Sequence, residues 1–194
     1  MNTSNDFAAV PSETPPQSAP KSCRLFYNHS ASDTERHTAA FWQTVFTVRF
    51  PSPKYLLIMV ASPDDSVRKA ERVLQYTPDD LDEPESIVLL WLQVGNPLGS
   101  VKDVEAQVLD AAERHLVAKA TPPTSRQTIY VMTANGPTFR LWEVDGVGQG
   151  LEPLHRDAWR NDKAQYLDAK SDEGCQVFFQ MRELIIKEYS TSLQ

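Results

Sequence analysis

Basic residues are in short supply. Against 26 Asp and Glu the chain of 194 residues sets 19 Lys and Arg, a net charge of −7. A protein that holds nucleic acid through phosphates normally shows a basic face. Here small clusters such as Arg68, Lys69 and Arg72 are interleaved with acids, as on a solvated surface. Cysteine is scarcer still. Cys23 and Cys175 lie far apart without local context, so no disulfide or cysteine nucleophile is argued. A reducing, intracellular setting, cytoplasm or nucleus, is the expectation. No apolar run approaches the roughly 20 residues of a membrane helix. The N-terminus lacks a basic stretch followed by an apolar one, so no signal peptide is expected. The four histidines, His29, His37, His115 and His155, show no metal-ligand spacing. A Gly-x-Ser-x-Gly elbow is also missing.

Proline is not scarce. Fourteen prolines stand against seven glycines, and many fall early, in "NTSNDFAAVPSETPPQSAPKS". So few large apolar groups cannot offset the entropy of ordering, and residues 1–22 read as a disordered arm. Residues 23–194 read as one domain, since 41 % of the chain is hydrophobic and its length suits a single core.

Along that domain, "RLFYN" is a short strand or an extended lead-in. "SDTERHTAAFWQTVF" is a helix opened by a Ser32/Glu35 capping box, with Ala39, Trp42, Val45 and Phe46 as its apolar stripe. Residues 55–60 read as a strand. "SVRKAERVLQY" stays open between a helix capped at Ser66 and a strand from about Ala70 to Tyr76. "IVLLWLQV" is apolar nearly throughout, as a central strand covered on both faces would be. Ser100 then caps a long helix with Val101, Val104, Val108, Leu109, Ala112 and Leu116 on one face. Asn135–Gly136 marks a hairpin within "QTIYVMTANGPTFRLWEVD". "GVGQG" runs into "LEPLHRDAW" rather than a helix start, so it reads as a plain turn instead of a phosphate loop. "CQVFFQMRELIIKEYS" closes the chain as a helix. The order predicts an α/β fold, a mixed central sheet sandwiched by helices.

The strand ending "LLWLQVGNP", the helix "EAQVLDAAERHL" and the hairpin "TIYVMTANGPTFRLWEV" together resemble the PD-(D/E)xK nuclease superfamily. The likeness is to the N-terminal nuclease-like part of type I restriction subunits and to related fungal domains, over about residues 32–145. It implies a restriction-endonuclease-like fold. It also implies that Glu71 matches the first acid, Gln93 and Gly95 the Glu and Lys of the Glu-x-Lys motif, and Gln107 the helical glutamine. Family enzymes hold Mg²⁺ between carboxylates, because a hard cation wants anionic oxygens, and the lysine orients or activates water. A neutral amide at 93 and no side chain at 95 would weaken both functions.

The resemblance therefore implies a catalytically inactive module, without cofactor, acting through a protein partner. An alternative is a Mg²⁺-dependent nuclease with a rearranged site, rescued by Lys102 or Glu105 from the first turns of the helix. A further alternative is non-catalytic nucleic-acid binding through Arg68, Lys69, Arg72 and Arg126.

Overall fold

A computed structural model of the chain describes residues 27–28, 30, 34–51, 54–60, 71–77, 87–119, 128–156 and 160–191. The arm 1–22, Cys23, the Ser32 cap, the basic residues Arg68, Lys69 and Arg126, and the first half of the 66–76 segment lie outside these residues.

Helix α1 spans Glu35–Arg49. Its N-cap is Thr34, in extended backbone, whose side chain accepts from the His37 N–H. A hydroxyl there satisfies one of the amides that a helix start leaves open. The chain is already helical at Tyr27 and Asn28, where the sequence suggested a strand or lead-in.

Strands β1 (Tyr55–Val60), β2 (Glu71–Tyr76) and β3 (Ile87–Gly95) form an antiparallel meander. The open choice over 66–76 thus resolves to strand for its second half. Helix α2, Val101–Lys119, carries the chain over the sheet, so that β4 (Thr128–Asn135) pairs parallel to β3. A parallel pair needs such a crossover, which explains why the longest connection precedes it. β5 (Thr138–Asp145) returns antiparallel to β4. Asn135 is the last paired residue of that hairpin, opposite Thr138, so Gly136 and Pro137 form the turn itself. Gly136 has φ +62°, and proline supplies the fixed negative φ that follows.

Two-residue strands β6 (Glu152–Pro153) and β7 (Leu167–Asp168) share the outer edge of β5, one at each end. Helix α3, Asp172–Thr191, ends the described chain. The predicted α/β sandwich around a mixed sheet is what forms: among the described residues, a sheet of seven strands is flanked by the three long helices α1, α2 and α3.

Alternation along the strands sorts side chains to two faces. Leu90, Leu92, Val94, Tyr130, Met132, Phe139 and Leu141 meet α1 and α3 in the larger core. Trp91, Val131, Trp142 and Val144 meet α2 in the smaller one. Trp42 is the hub of the first. It is fully buried, stacked on Phe178 at 6.2 Å and edge-on to Phe139 at 5.4 Å. Its indole N–H donates to the Gly136 carbonyl at 3.0 Å. One side chain thereby joins α1, α3 and the β4–β5 turn.

Among the described residues no helix is long and apolar enough to cross a membrane.

Candidate functional site at the ends of β2 and β3

Antiparallel register brings the start of β2 beside the far end of β3: Arg72 pairs with Leu92, so Glu71 opens β2 next to Gln93. Across β3, β4 and β5 the register aligns Gln93 with Thr133 and Thr133 with Arg140. These three residues form one lateral row on the face that α2 covers. The adjoining row, Trp91, Val131 and Trp142, is apolar. A polar row therefore lies beneath a helix, and all three of its members are at most 1 % exposed.

Buried polar groups must find partners. The Gln93 amide donates from Nε2 to Gln107 Oε1 at 3.1 Å and to the Val94 carbonyl at 3.4 Å. Its Oε1 has no hydrogen-bond partner among the described residues. Thr133 Oγ1 accepts from Trp142 Nε1 at 2.9 Å. The Tyr166 hydroxyl sits 2.8 Å from Thr133 Oγ1 and 3.2 Å from Glu105 Oε1, and its one proton serves one of them at a time. Glu105 Oε2 accepts the backbone N–H of Asn161 at 2.9 Å. The Arg140 guanidinium lies over the Trp142 ring, 4.1 Å from its centre.

Electrostatics follow from burial. Desolvation raises the Glu105 carboxyl above the usual carboxylate range, against the lowering effect of the Asn161 and Tyr166 hydrogen bonds and of Arg140. Desolvation likewise lowers the Arg140 guanidinium, an effect that Glu105 opposes. The Tyr166 hydroxyl is pushed upward, chiefly by burial. These shifts describe groups enclosed between helix and sheet.

The structure thus brings Gln93 and Gln107 into contact and sets Glu71 at the neighbouring strand position. Gly95 serves close packing: a Cβ built there would stand 2.4 Å from Val104 Cγ2. A lysine at 95 would have to displace a β-branched side chain of α2. Of the two helix residues considered for rescue, Lys102 is exposed. Glu105 does face the strand ends, but both of its oxygens are engaged. Among the described residues no three His, Cys, Asp or Glu side chains come together to share a metal ion.

Thr133, Arg140 and Tyr166 were not singled out from the sequence. One signal was available for Arg140: it stands two residues before Trp142 and four before Val144, on the inward side of an alternating strand. Tyr166 follows a single 3₁₀ turn, Lys163–Gln165, and carries no such signal.

A second enclosed group lies on the opposite face. Both ring nitrogens of His155 are buried without a hydrogen-bond partner among the described residues, in a small cavity lined by Leu141, Leu154, Met181 and Leu184. Desolvation lowers its pKa to about 4; Arg140 and Arg156 act in the same direction and Glu173 against them. The neutral ring is the folded form, while the unfolded chain takes up a proton near pH 6.5. Stability should therefore be full above about pH 6.5 and fall as the pH drops toward 4, by about 3 kcal/mol at the bottom of that window. Urea titrations across pH 4–7 check this. His155→Phe should flatten that part of the profile, and an unchanged slope in the variant would count against it.

No protein-family model, curated protein or solved structure matches the chain.

Proposed function

We propose that the chain is a nuclease-like domain that has lost catalysis and serves as a protein-interaction module. The fold offers support. A strand ending at Gly95, a helix over Val101–Lys119 and a hairpin over Thr128–Asp145 follow one another in the order on which the PD-(D/E)xK resemblance rests. The observation that carries the reading is the Gln93–Gln107 amide pair. At the position matched to a metal-binding glutamate there is a neutral side chain, hydrogen-bonded sideways to a neutral helix partner. A divalent ion there would have Glu71 as its one matched carboxylate, and hard cations bind weakly where anionic oxygens are few. Gly95, closed over by Val104, puts no ammonium beside a scissile phosphate.

Calorimetric titration with Mg²⁺ and Mn²⁺, paired with a supercoiled-plasmid assay, tests this. The expected result is no stoichiometric uptake below the millimolar range and no nicking above buffer. Tight uptake lost in Glu71→Ala, with cleavage lost in the same variant, would overturn the proposal.

A further inference from the structure

Between α1 and the outer strands β1 and β2, on the face away from α2, runs an open groove of about 690 Å³. Its floor includes Ala39 and Ala40 of α1, small enough to let a ligand approach the helix, and Met59 of β1, 65 % exposed. An unbranched thioether left this open is adaptable contact surface. At its sides stand Glu35, Arg36 and Arg72.

Arg72 is the unusual member. It is half-buried, and burial lowers its pKa, an effect that Glu35 opposes. Among the described residues no carboxylate forms an ion pair with it. The acceptor its Nη2 reaches is the Met59 sulfur, at 3.8 Å. A thioether is a weak acceptor, and a partly desolvated cation gains most from a carboxylate.

We propose that this groove binds a short acidic–apolar peptide segment of a partner protein, with one carboxylate on Arg72 and an apolar side chain over Met59 and the Ala39–Ala40 floor. The proposal rests on the protein-interaction reading above and names the surface used. Charge complementarity selects the carboxylate; the apolar floor selects a peptide over nucleic acid. A phosphate backbone would need a longer run of cations than Arg36 and Arg72, and would meet the Glu35 carboxylate in the same groove.

The chain's methionines make the test selective. Four occur, and Met59 is exposed while Met132 and Met181 are at most 3 % exposed. The full chain, ¹³C-labelled at its methionine methyls, is titrated with acetyl-Leu-Asp-Leu-Asp-Leu-amide and with the same peptide carrying Asn for Asp. The Met59 methyl should shift saturably with the acidic peptide while Met132 and Met181 hold still. The Asn peptide, and the acidic peptide on Arg72→Met protein, should bind about tenfold more weakly or worse, the scale of one charge-assisted hydrogen bond. Unmoved Met132 and Met181 signals in Arg72→Met report that the variant is folded, and the Asn comparison needs no variant. A silent Met59, equal binding of the two peptides, a Met59 shift on simple dilution of the protein, or an equal response to a twelve-residue oligothymidylate would each overturn the proposal. Divalent-ion uptake at β2 and β3 would instead overturn the non-catalytic reading and leave Met59 unmoved.

Discussion

Glu105→Ala is expected to cost about 3–5 kcal/mol of folding stability, because it leaves two buried donors without their acceptor at about 1–3 kcal/mol each and removes a charge that offsets a buried guanidinium. The carboxyl is 3 % exposed and accepts from the Asn161 amide and the Tyr166 hydroxyl, and Arg140, fully buried, is the cation that acts on it most strongly. Truncation strands those donors and leaves a guanidinium enclosed between α2 and the sheet with less compensation. Urea denaturation followed by tryptophan fluorescence reads the loss, because Trp142 packs against both Arg140 and Thr133. The size of the effect separates two roles. A residue kept for chemistry can be removed with little cost to folding, whereas a change under about 1 kcal/mol here would mean that the network is not what joins α2 to β4 and β5.

Trp42→Ala should be comparably severe, about 3–5 kcal/mol from the vacated volume, as for other large buried aromatics. Two further losses push it toward the upper end. The Gly136 carbonyl is left without its indole donor, and the ring contacts to Phe41, Phe139 and Phe178 disappear together. Trp42→Phe is the useful companion: it keeps most of the volume but not the N–H, so it should lose a good deal less. If both variants melt within about 0.5 kcal/mol of the parent, the first core is not organised around this residue.

Much of the fold could be read before any coordinates. The run "IVLLWLQV" became the central β3, and the stripe from Val101 to Leu116 became the face of α2, because long apolar patterns are dominated by burial. Local signals were less faithful. The capping role went to Thr34, nearer the helix, and the hairpin turned at Gly136–Pro137, since Asn135 is tied by its side-chain amide to the Asn96 carbonyl. Strands β6 and β7 are two residues each and exist only because β5 offers an open edge. The candidate site was half legible. Gln93, Gly95 and Gln107 came from a pattern of elements, and two of them do touch. The row through Thr133 and Arg140 did not, because it is created by register across three strands and a helix, which no local window contains.

The pairing of the first and last helices bears on how this chain comes to be folded. Phe178 completes the ring cluster around Trp42, and Arg182 Nε, 133 residues downstream, donates to the carbonyl of Arg49 at the end of α1. While the polypeptide is being synthesised, α1 emerges before α3, and the part of its apolar stripe that α3 covers stays unmatched until α3 follows. The closing step thus waits until α3 has been made, and until then the nascent chain carries an apolar surface of the kind that invites aggregation or chaperone binding.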